Sequence, residues 1–165
     1  MRHKVIFGMS LALMTLILII GYSAGQASSE TIPSKVEIVA TYCGKTIDQF
    51  VRVIDGTESS DKLVGTKGND LIRGFGANDQ INAYRGNDCV IGGDGDDTIR
   101  GYSGNDSIHG GRGNDSIYGE TGNDSLFGEE GNDNLNGNPG NDLLNGGPEI
   151  DSCMGGSGVD IILNC

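Results

Sequence analysis

Aspartate recurs at every ninth residue, twelve times without a break: Asp61, Asp70, Asp79, Asp88, Asp97, Asp106, Asp115, Asp124, Asp133, Asp142, Asp151 and Asp160. A carboxylate fixed on so short a period cannot belong to an ordinary apolar core. It forms a ladder of negative charge, and the chemistry open to such a ladder is the binding of cations. The composition follows from it. The chain has 23 acidic and 11 basic residues, so without the twelve ladder aspartates the charges balance, and the net charge of -12 is the ladder itself. A strongly acidic chain repels phosphates, which argues against a nucleic-acid partner.

In register the repeat reads GTKGNDLIR, GFGANDQIN, AYRGNDCVI, GGDGDDTIR, GYSGNDSIH, GGRGNDSIY, GETGNDSLF, GEEGNDNLN and GNPGNDLLN, with GTESSDKLV before it and GGPEIDSCM and GGSGVDIIL after it. Of 29 glycines, 20 stand at position 1 or 4 of the nonapeptide. There they let the backbone take positive φ and pass close to an ion. Position 5 is asparagine in eight of the twelve copies, a residue that tolerates left-handed geometry. Position 8 is always apolar, from Leu63 and Ile72 through to Cys153 and Ile162. Six turn residues followed by a three-residue strand, its middle side chain pointing inward, fit this pattern.

Two repeats then close one turn of 18 residues, strand-loop-strand-loop. Successive turns stack at strand spacing, about 4.8 Å. Position-8 side chains meet in the middle, and the loops stack in two columns, Asp70 near Asp88 and Asp106, Asp79 near Asp97 and Asp115. Carboxylates at that spacing repel by roughly 3 kcal/mol at an effective dielectric of 20. Ca²⁺ reverses the sign: it is a hard cation that accepts carboxylate and carbonyl oxygens in flexible geometry, whereas Mg²⁺ demands a tight octahedron. Folding is therefore expected to be coupled to calcium.

The flanks read differently. Arg2, His3 and Lys4 precede an apolar run from Val5 to Ile20, with small residues up to Ala27. Residues 1–27 are expected to be an export signal. A retained membrane anchor is the alternative, although sixteen residues at about 1.5 Å each fall short of the roughly 30 Å hydrocarbon core. Secretion to the cell exterior or surface follows in either case. Residues 28–55 predict a short cap over the first turn, with strands at Lys35–Ala40 and Phe50–Ile54 around a turn at Gly44. Cys43, Cys89, Cys153 and Cys165 are an even set, expected to form disulfides in an exported chain. Pairing Cys43 with Cys89 and Cys153 with Cys165 would staple each end, but three connectivities satisfy the sequence. No CxxC occurs, which disfavours zinc.

The nonapeptide pattern resembles the RTX, or haemolysin-type, calcium-binding repeat. The resemblance spans residues 56–163, leaving 164–165 as a tail. It implies an all-β fold, a right-handed parallel β-roll, with Ca²⁺ held between loops by the position-6 carboxylate and by loop carbonyls. The implied ligands are Asp70, Asp79, Asp88, Asp97, Asp106, Asp115, Asp124, Asp133, Asp142 and Asp160. Ser59 and Glu149 replace the position-4 glycine, which sets Asp61 and Asp151 apart as doubtful. Ala77 and Ala83 are milder departures.

No catalytic residues are expected. HExxH and GxSxG are absent, and His109 falls at an outward position 9. Asp94 to Asp97 lack the glycine and helices of an EF-hand. Asn105, Asn114 and Asn123 match glycosylation sequons that the repeat itself generates. Phe75, Tyr84, Tyr102, Tyr118 and Phe127 offer a candidate contact surface. The expected function is an extracellular calcium-binding repeat protein. The alternative is a surface adhesion or interaction protein that uses the same roll as a scaffold.

Overall fold

The structure is a computed structural model describing residues 41–165; the predicted export signal and the strand at Lys35–Ala40 lie outside the described residues. It begins with a small hairpin, β1 (Thr41–Tyr42) and β2 (Lys45–Thr46), followed by a 3-10 turn at Ile47–Gln49. The other strands are β3 (Arg52–Asp55), β4 (Lys62–Val64), β5 (Asp70–Gly76), β6 (Gln80–Asn82), β7 (Cys89–Asp94), β8 (Thr98–Ser103), β9 (Ser107–Arg112), β10 (Ser116–Thr121), β11 (Ser125–Glu130), β12 (Asn134–Pro139), β13 (Leu143–Asn145), β14 (Ser152–Ser157) and β15 (Ile161–Leu163). Odd-numbered strands from β3 to β15 form one seven-stranded sheet, and even-numbered strands from β4 to β14 form a six-stranded one. Every neighbouring pair within them is parallel and offset by 18 residues, as in Ile99↔Ile117 and Ile108↔Leu126. The chain is thus an all-β parallel solenoid of about six turns, two nonapeptides to the turn.

The core is a single file of position-8 side chains. From Leu63 to Leu144 all ten are buried, nine of them completely. Stacking like on like places each ring of apolar atoms between two others, and burial follows from having a neighbour on both sides. The expectation fails at the last turn: Cys153 is only partly buried and Ile162 is 46% exposed. No turn stacks beyond Ile162, so its inward side has nothing to meet.

Many strands are longer than the expected three residues, although β4, β6, β13 and β15 keep that length. In β8 to β12 and β14 they span positions 7 to 9 and run on through positions 1 to 3 of the next copy. Positions 8 and 1 both point inward, and position 1 is a buried glycine in the middle copies. Positive φ falls at positions 2 and 4, not at position 1. Position 1 is glycine for space, as shown below.

Within the described part of the N-terminal segment, Arg52–Asp55 adds the first rung at the edge of β5, and the residues before it take another place. Tyr42, Cys43 and Phe50 pack with Leu71, Cys89 and Ile91 on the outer face of the seven-stranded sheet. The Cys43–Cys89 disulfide pins them there. Position 7 points outward; half of the copies carry serine, threonine or asparagine there, but it is apolar at Leu71 and Cys89, as it is again at Leu143 and Ile161 at the far end. That local departure is what draws the segment down. The predicted strand at Phe50–Ile54 is β3, which begins two residues later and ends one residue later, and Ile54 pairs with Ile72 in phase with the repeat. The roll therefore starts one rung before the first ladder aspartate. At the far end Cys165 bonds Cys153, bringing the tail back to β14.

Position along the roll should set the energetic weight of each core residue. Ile117→Ala is expected to cost about 2–5 kcal/mol, the range for emptying a sealed core site, and Ile162→Ala well under 1 kcal/mol. Chemical denaturation of both variants at one fixed calcium concentration tests this.

Candidate metal-binding loops

The ladder aspartates stand in two columns, one rung apart along each. Asp70 through Asp142 are all at most 4% exposed. Each carboxylate splits its two oxygens between different tasks. Oδ1 accepts a hydrogen bond from the backbone N–H of the aspartate 18 residues earlier, as when Asp88 N–H donates to Asp106 Oδ1 at 2.8 Å. Ten such bonds, 2.7 to 3.0 Å long, run from Asp61 N–H to Asp160 Oδ1. Oδ2 is different. In the nine aspartates Asp79 through Asp151 it is buried with no hydrogen-bond partner. An unpaired buried carboxylate oxygen is strongly unfavourable, and nine in register need a common answer.

Glycine at position 1 keeps open the space that Oδ2 faces. A methyl group on Gly74 would collide with both Asp79 Oδ2 and the carbonyl of Gly92, one turn on. The same pairing recurs at Gly92 with Asp97 and Gly110, and at Gly110 with Asp115 and Gly128. A carboxylate oxygen and a carbonyl oxygen from the next turn thus converge where a Cβ would otherwise sit. This is a donor set for a hard cation: one charged oxygen, one dipolar oxygen, both shielded from water. Among the described residues no three acidic, His or Cys side chains gather at one point. Backbone carbonyls must therefore supply the remaining ligands. Ala83 is the exception at position 1. It is fully buried and carries a methyl group where the middle copies have none, so the cradle of Asp88 is the filled one.

The ends of the columns are built differently. Oδ2 of Asp61 accepts from Thr57 N–H at 2.7 Å and from its hydroxyl at 2.9 Å. Oδ2 of Asp70 accepts likewise from Thr66 N–H and hydroxyl. Threonine at position 2 thus takes over the oxygen that elsewhere is free. Asp151 keeps a buried, unpartnered Oδ2 although Glu149 replaces the preceding glycine. Asp160 is half-buried at the last rung, its Oδ1 accepting from Asp142 N–H at 3.0 Å.

Position 5 has a role that its tolerance of left-handed geometry does not describe, since none of these asparagines has positive φ. Their side chains form a second ladder. Asn87 Oδ1 accepts from Asn105 N–H at 2.8 Å, and Asn105 Oδ1 accepts from Asn123 N–H at 2.9 Å. Asp96 substitutes in the same way, its Oδ1 accepting from Asn114 N–H. The signal lies in the eight recurring asparagines: a periodic side-chain acceptor, and not a residue kept for backbone tolerance. His109 points outward as expected, but Nδ1 lies 2.9 Å from Glu129 Oε1 and the ring stacks on Phe127 at 4.7 Å.

Burial raises the carboxyl groups of Asp79 through Asp142. It is the first cause in each case, opposed by the hydrogen bond from the neighbouring aspartate's N–H. Asp88, Asp115 and Asp124 are pushed up to about 7, and Asp97, Asp106 and Asp133 to about 6. Repulsion within a column adds a smaller push in several, as from Asp106 and Asp70 on Asp88. Desolvation thus outranks the like-charge repulsion that spacing alone suggests.

Two outcomes follow. The ordinary carboxyl value is 3.8 and the folded values lie near 6 to 7, so between those limits the calcium-free folded chain holds protons that the unfolded chain releases. Its stability is therefore greatest below the unfolded value and falls as pH rises through 6 to 7. Chelated protein moved from pH 7.5 to 5 should gain β-sheet circular dichroism; an unchanged spectrum would count against the buried ladder. At the cradles, Gly110→Ala should weaken calcium binding about tenfold or more, whereas Ala83→Gly should strengthen it, both read by calcium titration calorimetry.

The RTX calcium-binding nonapeptide repeat model matches the chain in four copies, over residues 55–88, 91–126, 118–153 and 127–162. No curated protein and no solved structure matches at a significant level. The matched copies cover the whole of both aspartate columns and well over half of the chain. With its 18-residue turns and ladder of buried carboxylates, the chain belongs to the RTX calcium-binding nonapeptide repeat family.

Proposed function

We propose that the protein is an extracellular calcium-binding repeat protein whose roll is completed by ions held between its stacked loops. One observation carries this reading: nine buried Oδ2 atoms without partners, eight of them, all but that of Asp88, facing a gap that a position-1 glycine keeps open. Asp79, Asp97, Asp115, Asp133 and Asp151 would serve one column, and Asp88, Asp106, Asp124 and Asp142 the other. Asp61 and Asp70 would contribute least, because threonine already satisfies their Oδ2. Bound Ca²⁺ supplies divalent charge and open coordination positions for oxygen. The chain does the rest: Oδ1 locks each carboxylate to the preceding turn, position-1 glycine clears the gap, and the core file keeps water out.

Secretion is part of the proposal. It is supported by the charged head and apolar run of residues 1–27 and by two disulfides, which persist in oxidising compartments. The scaffold reading, in which the roll presents a surface to a partner, draws on the exposed rings of Phe75, Tyr84 and Tyr102.

Calcium titration of the protein, followed by circular dichroism, is the direct test. Chelated protein at pH 7.5 should show little β-signal, and millimolar Ca²⁺ should restore it cooperatively; identical spectra in both conditions would overturn the reading. Asp115→Ala, mid-column, should shift the calcium midpoint upward about tenfold, while Asp61→Ala should leave it nearly unchanged, because each turn depends only on its neighbours. Equal shifts in the two variants would contradict the column arrangement.

A further inference from the structure

Position 2 of the repeat has positive φ, and glycine occupies it at Gly93, Gly111, Gly147 and Gly156. Tyr84 and Tyr102 occupy it at φ 76° and 73°. A side chain in that region is strained relative to glycine. The two rings lie on adjacent rungs with centroids 5.1 Å apart and planes 14° from parallel. They are 43% and 36% exposed. One face of Tyr84 is covered by Tyr102. The other looks toward the preceding rung, where position 2 is the small Thr66. The stack therefore stops one step short, leaving a surface slot of about 470 Å³ lined by Gly65, Thr66, Lys67, Tyr84 and Arg85.

The charge at this slot is opposite to that of the molecule. After residue 100 the chain carries eleven acids and a single base, Arg112. Lys67 and Arg85 sit at position 3 of the same column, both exposed. Among the described residues neither makes an ion pair, whereas Arg73 pairs with Asp55, and Arg112 with Asp94 and Glu130. Two unpaired cations beside an open aromatic face, on a chain of net charge -12, form a local site for an anion carried on a ring that can stack. The negative face of a tyrosine ring attracts the C–H face of a pyranose, and the cations select an acidic one.

We propose that this slot binds a pyranose ring bearing a carboxylate or a sulfate group, the sugar continuing the Tyr102–Tyr84 stack and its anion meeting Lys67 and Arg85. The site uses none of the unpartnered Oδ2 atoms. It does not rest on the calcium reading, which would fail in circular dichroism before any sugar is added.

The test is calorimetric titration of the folded protein in Ca²⁺ buffer with three probes: trigalacturonate, maltotriose sulfate and plain maltotriose. At least one acidic sugar should bind, with maltotriose weaker by about tenfold or more, and added salt should reduce the affinity. The acidic probe that binds identifies the anion as carboxylate or sulfate. Tyr84→Gly removes the ring at a backbone that glycine prefers, and Tyr84→Leu keeps bulk without a ring; each should weaken binding about tenfold, as should the double change Lys67→Gln with Arg85→Gln. Tyr118→Ala, away from the slot, should change nothing. Absence of binding by both acidic sugars, equal binding of maltotriose, or full affinity in both Tyr84 variants would overturn the proposal.

Discussion

A carboxylate removed from water must be compensated, and in this molecule the requirement is repeated along one axis at every turn. Half of it is met within the protein. Oδ1 of each ladder aspartate accepts an N–H from the turn before, a charge-assisted bond that ties consecutive turns together. The other half, Oδ2, is left to whatever enters the gap between loops. The remaining architecture serves this division. Position-1 glycines clear the gap, the 18-residue offset aligns it, and a core only one side chain wide leaves the roll dependent on it.

Two side-chain ladders of opposite sense cross each loop gap. Toward the C-terminus, the aspartate of one turn donates its N–H to a carboxylate on the next, while the asparagine beside it receives an N–H from that next turn. A parallel sheet built of near-identical repeats is exposed to slippage, and paired bonds of opposite polarity restrict it. The asparagine ladder ends before the aspartate ladder does. Its last acceptors, Asn132 and Asn141, receive the N–H groups of Ile150 and Val159. Those side chains cannot accept a further rung, and the Cys153–Cys165 bond secures the turn that follows.

The outer faces escape this regularity and carry what is individual to the protein. Leu71 and Cys89 bring the N-terminal segment onto one sheet. Arg73 lies between the rings of Tyr42 and Phe75 while pairing with Asp55. His109, Phe127 and Glu129 form a small group of their own. Tyr84 and Tyr102 stack beside the slot. None of these contacts is needed to close a turn, so outward positions can vary without cost to the ladder.

Period and inward pattern were legible because they are one-dimensional. A carboxylate at every ninth residue and an apolar residue two places later determine a two-sided turn of 18 residues with a stacked core, and both disulfides are among the pairings the spacing permitted. What lay beyond the sequence depends on which atoms meet across turns. That Asn105 uses its side chain rather than its backbone tolerance, that Thr66 satisfies Asp70, and that Gly101 is required for space rather than for φ are all relations between residues 18 apart or across a loop. The same holds for Tyr42, Cys43 and Phe50, which belong to the segment predicted as an end cap and pack on an outer face. A periodic pattern specifies how one rung follows another, but an aperiodic segment goes wherever apolar surface remains uncovered. Here that was the outer face at Leu71 and Cys89, and only the stacked tertiary structure brings those two side chains together.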